Sequence, residues 1–325
     1  MKFRLLALIP CLLAATACGA PAPRWRDEAP LPRAVAGHAA AWHAGELWIA
    51  GGTWWEGELK RIGTTLLHRA SGRNLWTETG EIPGGFAHGG FATDTGSLWL
   101  AGGLSTAGAS ADVRRLDLRT GGVTEVARLG GPRVHCGAAL LAGSLWVIGG
   151  APSDRDLSQA DGAAWQINVA TGTVTALPSG PPWINPLVLP LEGRLHVLPG
   201  GVWSPERRRL EVPSMMFLFH PAERRWESRS LAVPLPRGLG GAALDDRRAV
   251  LAGGVRVREG GTEITGEAWL YHASRGTFAP LPPLPGPRLA AAFLRAGEDV
   301  LVLGGEDQPR GRTVTAWRLA GGKIP

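Results

Sequence analysis

The sequence predicts an all-β chain, a propeller of six blades whose last blade is closed by the N-terminal strand. Three observations carry this. Gly–Gly pairs recur at Gly51-Gly52, Gly102-Gly103, Gly149-Gly150, Gly200-Gly201, Gly253-Gly254 and Gly304-Gly305, in steps of 51, 47, 51, 53 and 51 residues. A second marker holds the register: Trp25, Trp76, Val123, Val174 and Phe278 each lie 26 residues before the first glycine of the next pair, and Trp226 lies 27 before. The third is strand order at the ends. Val314 to Leu319 reads as a third strand with no fourth after it, and Arg24-Trp25-Arg26-Asp27 supplies the missing piece. Joining them hides two sheet edges that would otherwise invite aggregation.

Each unit reads as four short strands, and its length is close to the period of about 50 residues of kelch-type propellers. The first strand is Ala-rich. The second is apolar and runs into the Gly–Gly pair, as in Leu47-Trp48-Ile49-Ala50, Leu98-Trp99-Leu100-Ala101 and Leu145-Trp146-Val147-Ile148. Leu116-Asp117-Leu118 and Trp165-Gln166-Ile167-Asn168 illustrate the third. Turns such as Thr120-Gly121 and Thr171-Gly172 lead to the fourth, because glycine supplies the positive φ they need. Proline-rich pieces, Ala29-Pro30-Leu31-Pro32 among them, then connect blades.

Ahead of the repeats, Lys2 and Arg4 precede an apolar run from Leu5 to Ala15, too short to span a bilayer. This is the pattern of an export signal. Ala15-Thr16-Ala17-Cys18-Gly19 resembles a bacterial lipobox, which implies acylation of Cys18. The expected organisation is a signal over 1–17, a lipidated tether over 18–23 and a propeller over 24–325. The expected location is outside the cytoplasm, at the periplasmic face of the outer membrane or the cell surface, with membrane contact through the lipid alone.

Composition narrows the chemistry. Of the 34 basic residues Lys2 and Arg4 would leave with the signal, against 28 acidic residues. The small excess is spread along the chain without the clustering and aromatic interleaving of a nucleic-acid surface, so no nucleic-acid partner is expected. With Cys11 in the signal and Cys18 acylated, Cys136 stands alone and no internal disulfide forms. Some kelch propellers are copper oxidases built on tyrosines, and this chain has one tyrosine, Tyr271. Its histidines show no metal-ligand spacing. No phosphate-cradling loop, dinucleotide fingerprint or Gly-x-Ser-x-Gly elbow occurs. No metal and no cofactor are expected.

The repeat register then selects candidates. Arg133, Arg237 and Arg288 each lie 16 residues before their Gly–Gly pair, where the chain enters the innermost strand. They are expected to converge on the mouth of the central channel, where planar guanidinium groups suit a carboxylate or sugar hydroxyls. His38 falls at a Gly–His position common in kelch repeats and reads as structural. His88 and His135 lie 14 residues before their pairs, one residue earlier in the blade than His38. That shift exchanges strand faces and aims them at the mouth.

The last blade reads Gly305-Glu306-Asp307-Gln308-Pro309-Arg310-Gly311-Arg312-Thr313. This resembles the Gly-Glu-x-x-Pro-x-x-Arg-Thr signature of the N-acetylneuraminate epimerase family and its cyclically permuted mutarotase relatives, which are six-bladed kelch propellers. Trp54-Trp55-Glu56-Gly57 and Lys60 are similar to a run after that family's first Gly–Gly pair. In the fourth blade Trp183-Ile184-Asn185 stands where the family carries an arginine.

The resemblance implies a sugar mutarotase or epimerase acting on sialic acid or a related sugar, acidic sugars included. Glu306 and Arg312 would be the catalytic residues, with Trp54 and Glu56 at the substrate. The chemistry fits, since anomer exchange needs one proton removed from the anomeric hydroxyl and one delivered to the ring oxygen. The alternative is a non-catalytic propeller that binds a glycan or a protein on its arginine-rich face, since this fold hosts both.

Overall fold

The structure is a computed structural model and describes residues 23–70, 72–320 and 324. The expected signal, Cys18 and the tether up to residue 22 lie outside the described residues.

Six four-stranded antiparallel sheets account for the repeats, numbered here as blades one to six from Gly51-Gly52 to Gly304-Gly305. Their innermost strands are Ala39–His43, Gly90–Thr93, Gly137–Leu141, Leu187–Leu191, Gly240–Ala243 and Ala292–Ala296. Small residues dominate there because six strands meet around one axis. A Cβ at Gly90 would stand 2.7 Å from the Cβ of Ala138 in the next blade. The second strands are almost wholly buried, and their tryptophans Trp48, Trp99 and Trp146 pack between blades.

Closure follows the expected strand order. Trp25–Glu28 forms the outer strand of blade six, pairing with Ala316–Leu319 from Trp25↔Leu319 to Glu28↔Ala316. Glu28 also binds Arg318 at 2.7 Å and reaches Arg69 of blade one at 3.0 Å, so the seam is tied sideways as well as along the sheet.

The Gly–Gly pairs stitch neighbouring blades. In five blades the N–H of the second glycine donates to a carbonyl of the next blade, those of Phe86, Arg133, Trp183, Arg288 and Val35. The turn brings that carbonyl so close that a Cβ on Gly51 would lie 2.0 Å from the Phe86 oxygen. Both residues of the pair also need positive φ, as at Gly51 (68°) and Gly52 (100°), which glycine adopts without steric cost.

Blade four differs. There the residue aligned with Glu306 and Thr53 is Gly201, as its bridge to Ile184 shows, so Pro199-Gly200 occupies the Gly–Gly position and the Gly200-Gly201 marker is one residue out of register. Proline cannot enter the left-handed region. The Pro199 carbonyl instead accepts from Gly238 at 3.2 Å.

The loops after the Gly–Gly turns rise on one face. Four fold into two-stranded hairpins: Thr53–Glu56 with Leu59–Ile62, Leu104–Ser105 with Gly108–Ala109, Val202–Ser204 with Arg209–Glu211, and Val255–Arg258 with Gly261–Ile264. Blade three carries a 3-10 turn at Leu157–Gln159, and blade six carries the irregular stretch from Glu306 to Thr315.

Candidate functional site

On this face every blade repeats one device. The residue entering the inner strand bridges the residue just past the Gly–Gly turn: Ala36 with Thr53, Ala87 with Leu104, Val134 with Ala151, Ile184 with Gly201, Arg237 with Val255, and Leu289 with Glu306. The next residue turns left-handed: Gly37, His88, His135, Asn185, Gly238 and Ala290 all have φ between 51 and 66°. Five of these backbones, all but that of Gly238, are linked in a collar. Gly37 N–H donates to Ala290 O at 2.8 Å, His88 to Gly37 at 2.8 Å, His135 to His88 at 2.6 Å and Asn185 to His135 at 2.7 Å. The collar rims a channel cavity of ≈ 200 Å³, walled below by Phe91, Ala138, Val188, Leu239 and Phe293.

Polar chemistry occupies one arc of this mouth. Arg312 holds the Glu306 carboxylate at 3.0 Å and crosses into blade one, where its Nε donates to Thr53 O at 3.3 Å and its Nη2 to Thr53 Oγ1 at 3.4 Å. Thr53 Oγ1 meets His88 Nε2 at 3.1 Å. The His88 and His135 rings are 5.1 Å apart, and His135 Nδ1 is 3.0 Å from Asn185 Oδ1. Above them Lys60, from the blade-one hairpin, faces Asp154 of blade three at 3.9 Å. Side chains from blades six, one, two, three and four therefore form one connected arc.

Burial sets the electrostatics. Desolvation raises the Glu306 carboxyl above the usual carboxylate range, against the pull of Arg312 and Lys60. It also lowers Arg312 and Lys60, Glu306 acting in the opposite sense on each. Desolvation keeps His88 well below the ordinary imidazole value and His135 at about 4, so both rings are neutral at pH 7. A carboxyl with a raised pKa beside a cation, at the rim of a concave site, is an arrangement found at sites of proton transfer.

The structure brings Glu306, Arg312, His88 and His135 together, and it separates the other expected residues from them. Arg133 and Arg288 enter their inner strands as the register requires, but their guanidinium groups turn outward onto the third strand of their own blades. Arg133 stacks over Trp165 at 5.0 Å and binds Asp161 at 2.7 Å. Arg288 stacks over Trp317 at 4.0 Å and donates to Pro287 O and Thr315 Oγ1. Arg237 is not their equivalent. The first hairpin of blade five is one residue longer (Gly240 pairs Ala252, where in blade three Gly137 pairs Ile148), so the same count to the glycines lands on the bridge residue. Its side chain packs beside Gly201 and Leu210 of blade four. The expected triangle of guanidinium groups does not form.

Trp54 and Glu56 are corrected in the same way. Side chains alternate along a strand. Thr53 faces the mouth, which puts Trp55 and its cross-strand partner Lys60 on that face and Trp54 and Glu56 on the other. Trp54 lies under Arg33 at 4.3 Å and donates to Glu56, which binds Arg61 at 2.8 Å. Sequence reasoning missed Thr53, Trp55, Lys60, Asp154 and Asn185 as site residues. Strand alternation counted from Thr53 would have chosen Trp55 and Lys60, but no local signal joins Lys60 to Asp154.

Comparison with known proteins bears on the fold. A solved structure of YjhT superposes on 88 % of this chain and 95 % of its own, with a TM-score of 0.70 at 14 % identity. That likeness establishes the propeller. No protein-family profile and no curated protein sequence matches the chain.

Proposed function

We propose that the protein interconverts the anomers of a sugar at the channel mouth, with Glu306 as acid/base and Arg312 orienting it and receiving a substrate carboxylate. The observation that supports this most is the Glu306–Arg312 pair itself, a carboxyl raised by burial yet held at 3.0 Å by a cation. Anomer exchange removes the proton of the anomeric hydroxyl, breaks the bond between anomeric carbon and ring oxygen, and protonates that oxygen. The open-chain carbonyl then recloses on its other face, with no net change in atoms or charge. Ring opening already proceeds unaided, so one positioned acid/base, worth roughly 10²–10⁴ in rate, suffices.

The test is proton NMR of anomer equilibration, with N-acetylneuraminate as the first probe and neutral hexoses and uronic acids after it. Glu306→Gln keeps the shape and removes the titrating group. Loss of at least about 100-fold in acceleration with the sugar still bound is the expected result. A wild-type protein that accelerates none of these sugars defeats the reading and leaves a binding propeller. We also propose export and anchoring through Cys18, on the residues of the leader. Cys18→Ser is expected to abolish acyl labelling and move the protein out of the membrane fraction, and a wild-type protein without an acyl chain removes the anchor.

A further inference from the structure

Behind the blade-one hairpin, on the face turned away from the mouth, lies a cavity of ≈ 170 Å³. One wall is a row of cross-strand partners, Ile49 on the second strand, Leu67 on the third and Glu78 on the fourth. Strand pairing puts these three side chains on one face of the blade. The row runs from buried Ile49 through half-buried Leu67 to exposed Glu78, so the cavity is apolar at its floor and acidic at its rim. The segment joining blade six to blade one closes the other side with Leu31 and Val35, which share an apolar cluster with Ile49. Trp54 and Arg33, stacked at 4.3 Å, complete the lining, and Thr65 adds a hydroxyl.

The charges here are unpaired. Among the described residues neither the Arg33 guanidinium nor the Glu78 carboxylate has an ion pair or a hydrogen-bond partner, and the Thr65 hydroxyl has none. Glu56 feels Arg33 from a distance, but its oxygens are taken by Trp54 Nε1 and Arg61. The repeat does not require this arrangement. In blade five the residue aligned with Trp54 is Arg256, beside a larger groove, and Glu267 and Pro234 O hold it. The aligned residues elsewhere are Ser105, Pro152, Val202 and Asp307, so blade one alone places an aromatic ring here.

A ligand that satisfies this cavity brings an apolar group for the floor, an oxyanion for Arg33 and a cationic donor for Glu78. An α-amino acid with an apolar side chain carries all three on one carbon. Size agrees. Small-molecule pockets begin at roughly 300 Å³, so ≈ 170 Å³ holds a group the size of one side chain and nothing larger. A bare carboxylate would meet a like charge at Glu78, and a bare amine would meet one at Arg33.

We propose that this cavity binds a free apolar α-amino acid, with its side chain on Ile49 and Leu67, its carboxylate at Arg33 and its ammonium at Glu78. The site stands apart from the channel mouth and does not rest on the anomer-exchange reading.

The test is a titration with L-leucine, read on the Trp54 indole N–H by proton–nitrogen NMR, the signal being assigned by its loss in Trp54→Phe. Three analogues each lack one group: isocaproate the ammonium, isoamylamine the carboxylate and glycine the side chain. L-leucine is expected to move the signal saturably at about millimolar concentration, and each analogue to bind about threefold to fivefold more weakly, the range of an exposed ion pair. Arg33→Ala and Glu78→Gln, both at exposed positions, are each expected to erase the preference for leucine over the analogue lacking the matching group. The site is overturned if leucine leaves the Trp54 signal unmoved, if isocaproate or isoamylamine binds as well as leucine, or if both variants keep the wild-type preferences. N-acetyl-leucinamide has the side chain without either charge. If it binds as tightly as leucine, the cavity takes a side chain of a protein partner and the amino-acid site is overturned. Affinities are read by calorimetry as well, so the comparison among wild type, Arg33→Ala and Glu78→Gln stands even if Trp54→Phe fails to fold.

Discussion

Arg288 and Arg312 both belong to blade six, both are largely buried and both lie on the loop face, yet they do opposite things. Arg288 closes on its own blade, over Trp317, and Arg133 does the same over Trp165 in blade three. Arg312 leaves its blade, spans the seam to Thr53 and holds Glu306 at the mouth. A residue type that recurs at one repeat position is there for what every blade needs, which is packing between strands. A residue that breaks the repeat is free to face the channel. The left-handed turns at the mouth say the same: their six φ values are alike, but side chains capable of hydrogen bonding stand only at His88, His135 and Asn185.

The largest effect that could break this contrast is Arg312→Ala set against Arg288→Ala. If the protein exchanges anomers as proposed, Arg312→Ala is expected to lower kcat/KM by about 100-fold or more, hitting acidic sugars hardest, because it removes the partner of Glu306 and the proposed carboxylate anchor. Its effect on stability is expected to be limited, because Glu306, already raised by burial, takes up a proton once its partner is gone. Arg288→Ala is expected to do the reverse. It uncovers the Trp317 face and the hydrogen bonds to Pro287 and Thr315, a loss of about 2–3 kcal/mol in denaturant unfolding with KM within about twofold. If Arg288→Ala abolishes catalysis in a stable protein, the division between repeat and departure fails.

Legibility in the sequence follows the same division. The blade count, the register and the closing strand rest on spacings that every blade obeys, so one chain displays them six times. Glu306 and Arg312 were readable because they sit six residues apart in one loop and match a signature. The arginine triangle was misread because counting from the glycines assumes equal hairpins, and blade five has one residue more. His88 lines the channel cavity through a left-handed backbone and not through strand alternation, and His135, left-handed too, stands beside it at 5.1 Å and is not part of the cavity lining. Lys60 with Asp154, and Thr53 with His88, are contacts between blades and leave no trace in any one repeat.

A middle-sized effect concerns histidines that stay in the structural class. His38 is 2 % exposed, neither ring nitrogen has a partner among the described residues, and burial lowers it to about 4. The unfolded chain takes up its proton near 6.5 and the folded one near 4. Between these values the unfolded state binds more protons, so stability present above pH 6.5 is lost as pH falls towards 4. His38→Leu is expected to remove on the order of 2 kcal/mol of that loss, read as a flatter dependence of Tm on pH. Unchanged pH dependence would show that His38 is not protonated on unfolding in this window, and would weaken its separation from the channel histidines.

The smallest effect sharpens the comparison most, because it touches the atom that joins the two kinds of residue. Thr53 sits at a repeat position, bridged to Ala36 like its five counterparts, yet its hydroxyl connects Arg312 to His88. Thr53→Val keeps the shape and the backbone bridge and removes that oxygen. Arg312 retains Glu306 and the Thr53 carbonyl, so the rate is expected to fall only a few-fold. The decisive reading is on His88. In the wild type the Thr53 oxygen meets Nε2 at 3.1 Å and biases the tautomer, and in the variant that contact is gone, so nitrogen NMR is expected to show a changed tautomer balance. A purely structural Thr53 would shift Tm and leave the tautomer unmoved. That outcome would assign the hydroxyl to the repeat, with Ala36 O as the bond that matters, and would detach His88 from the Glu306–Arg312 pair.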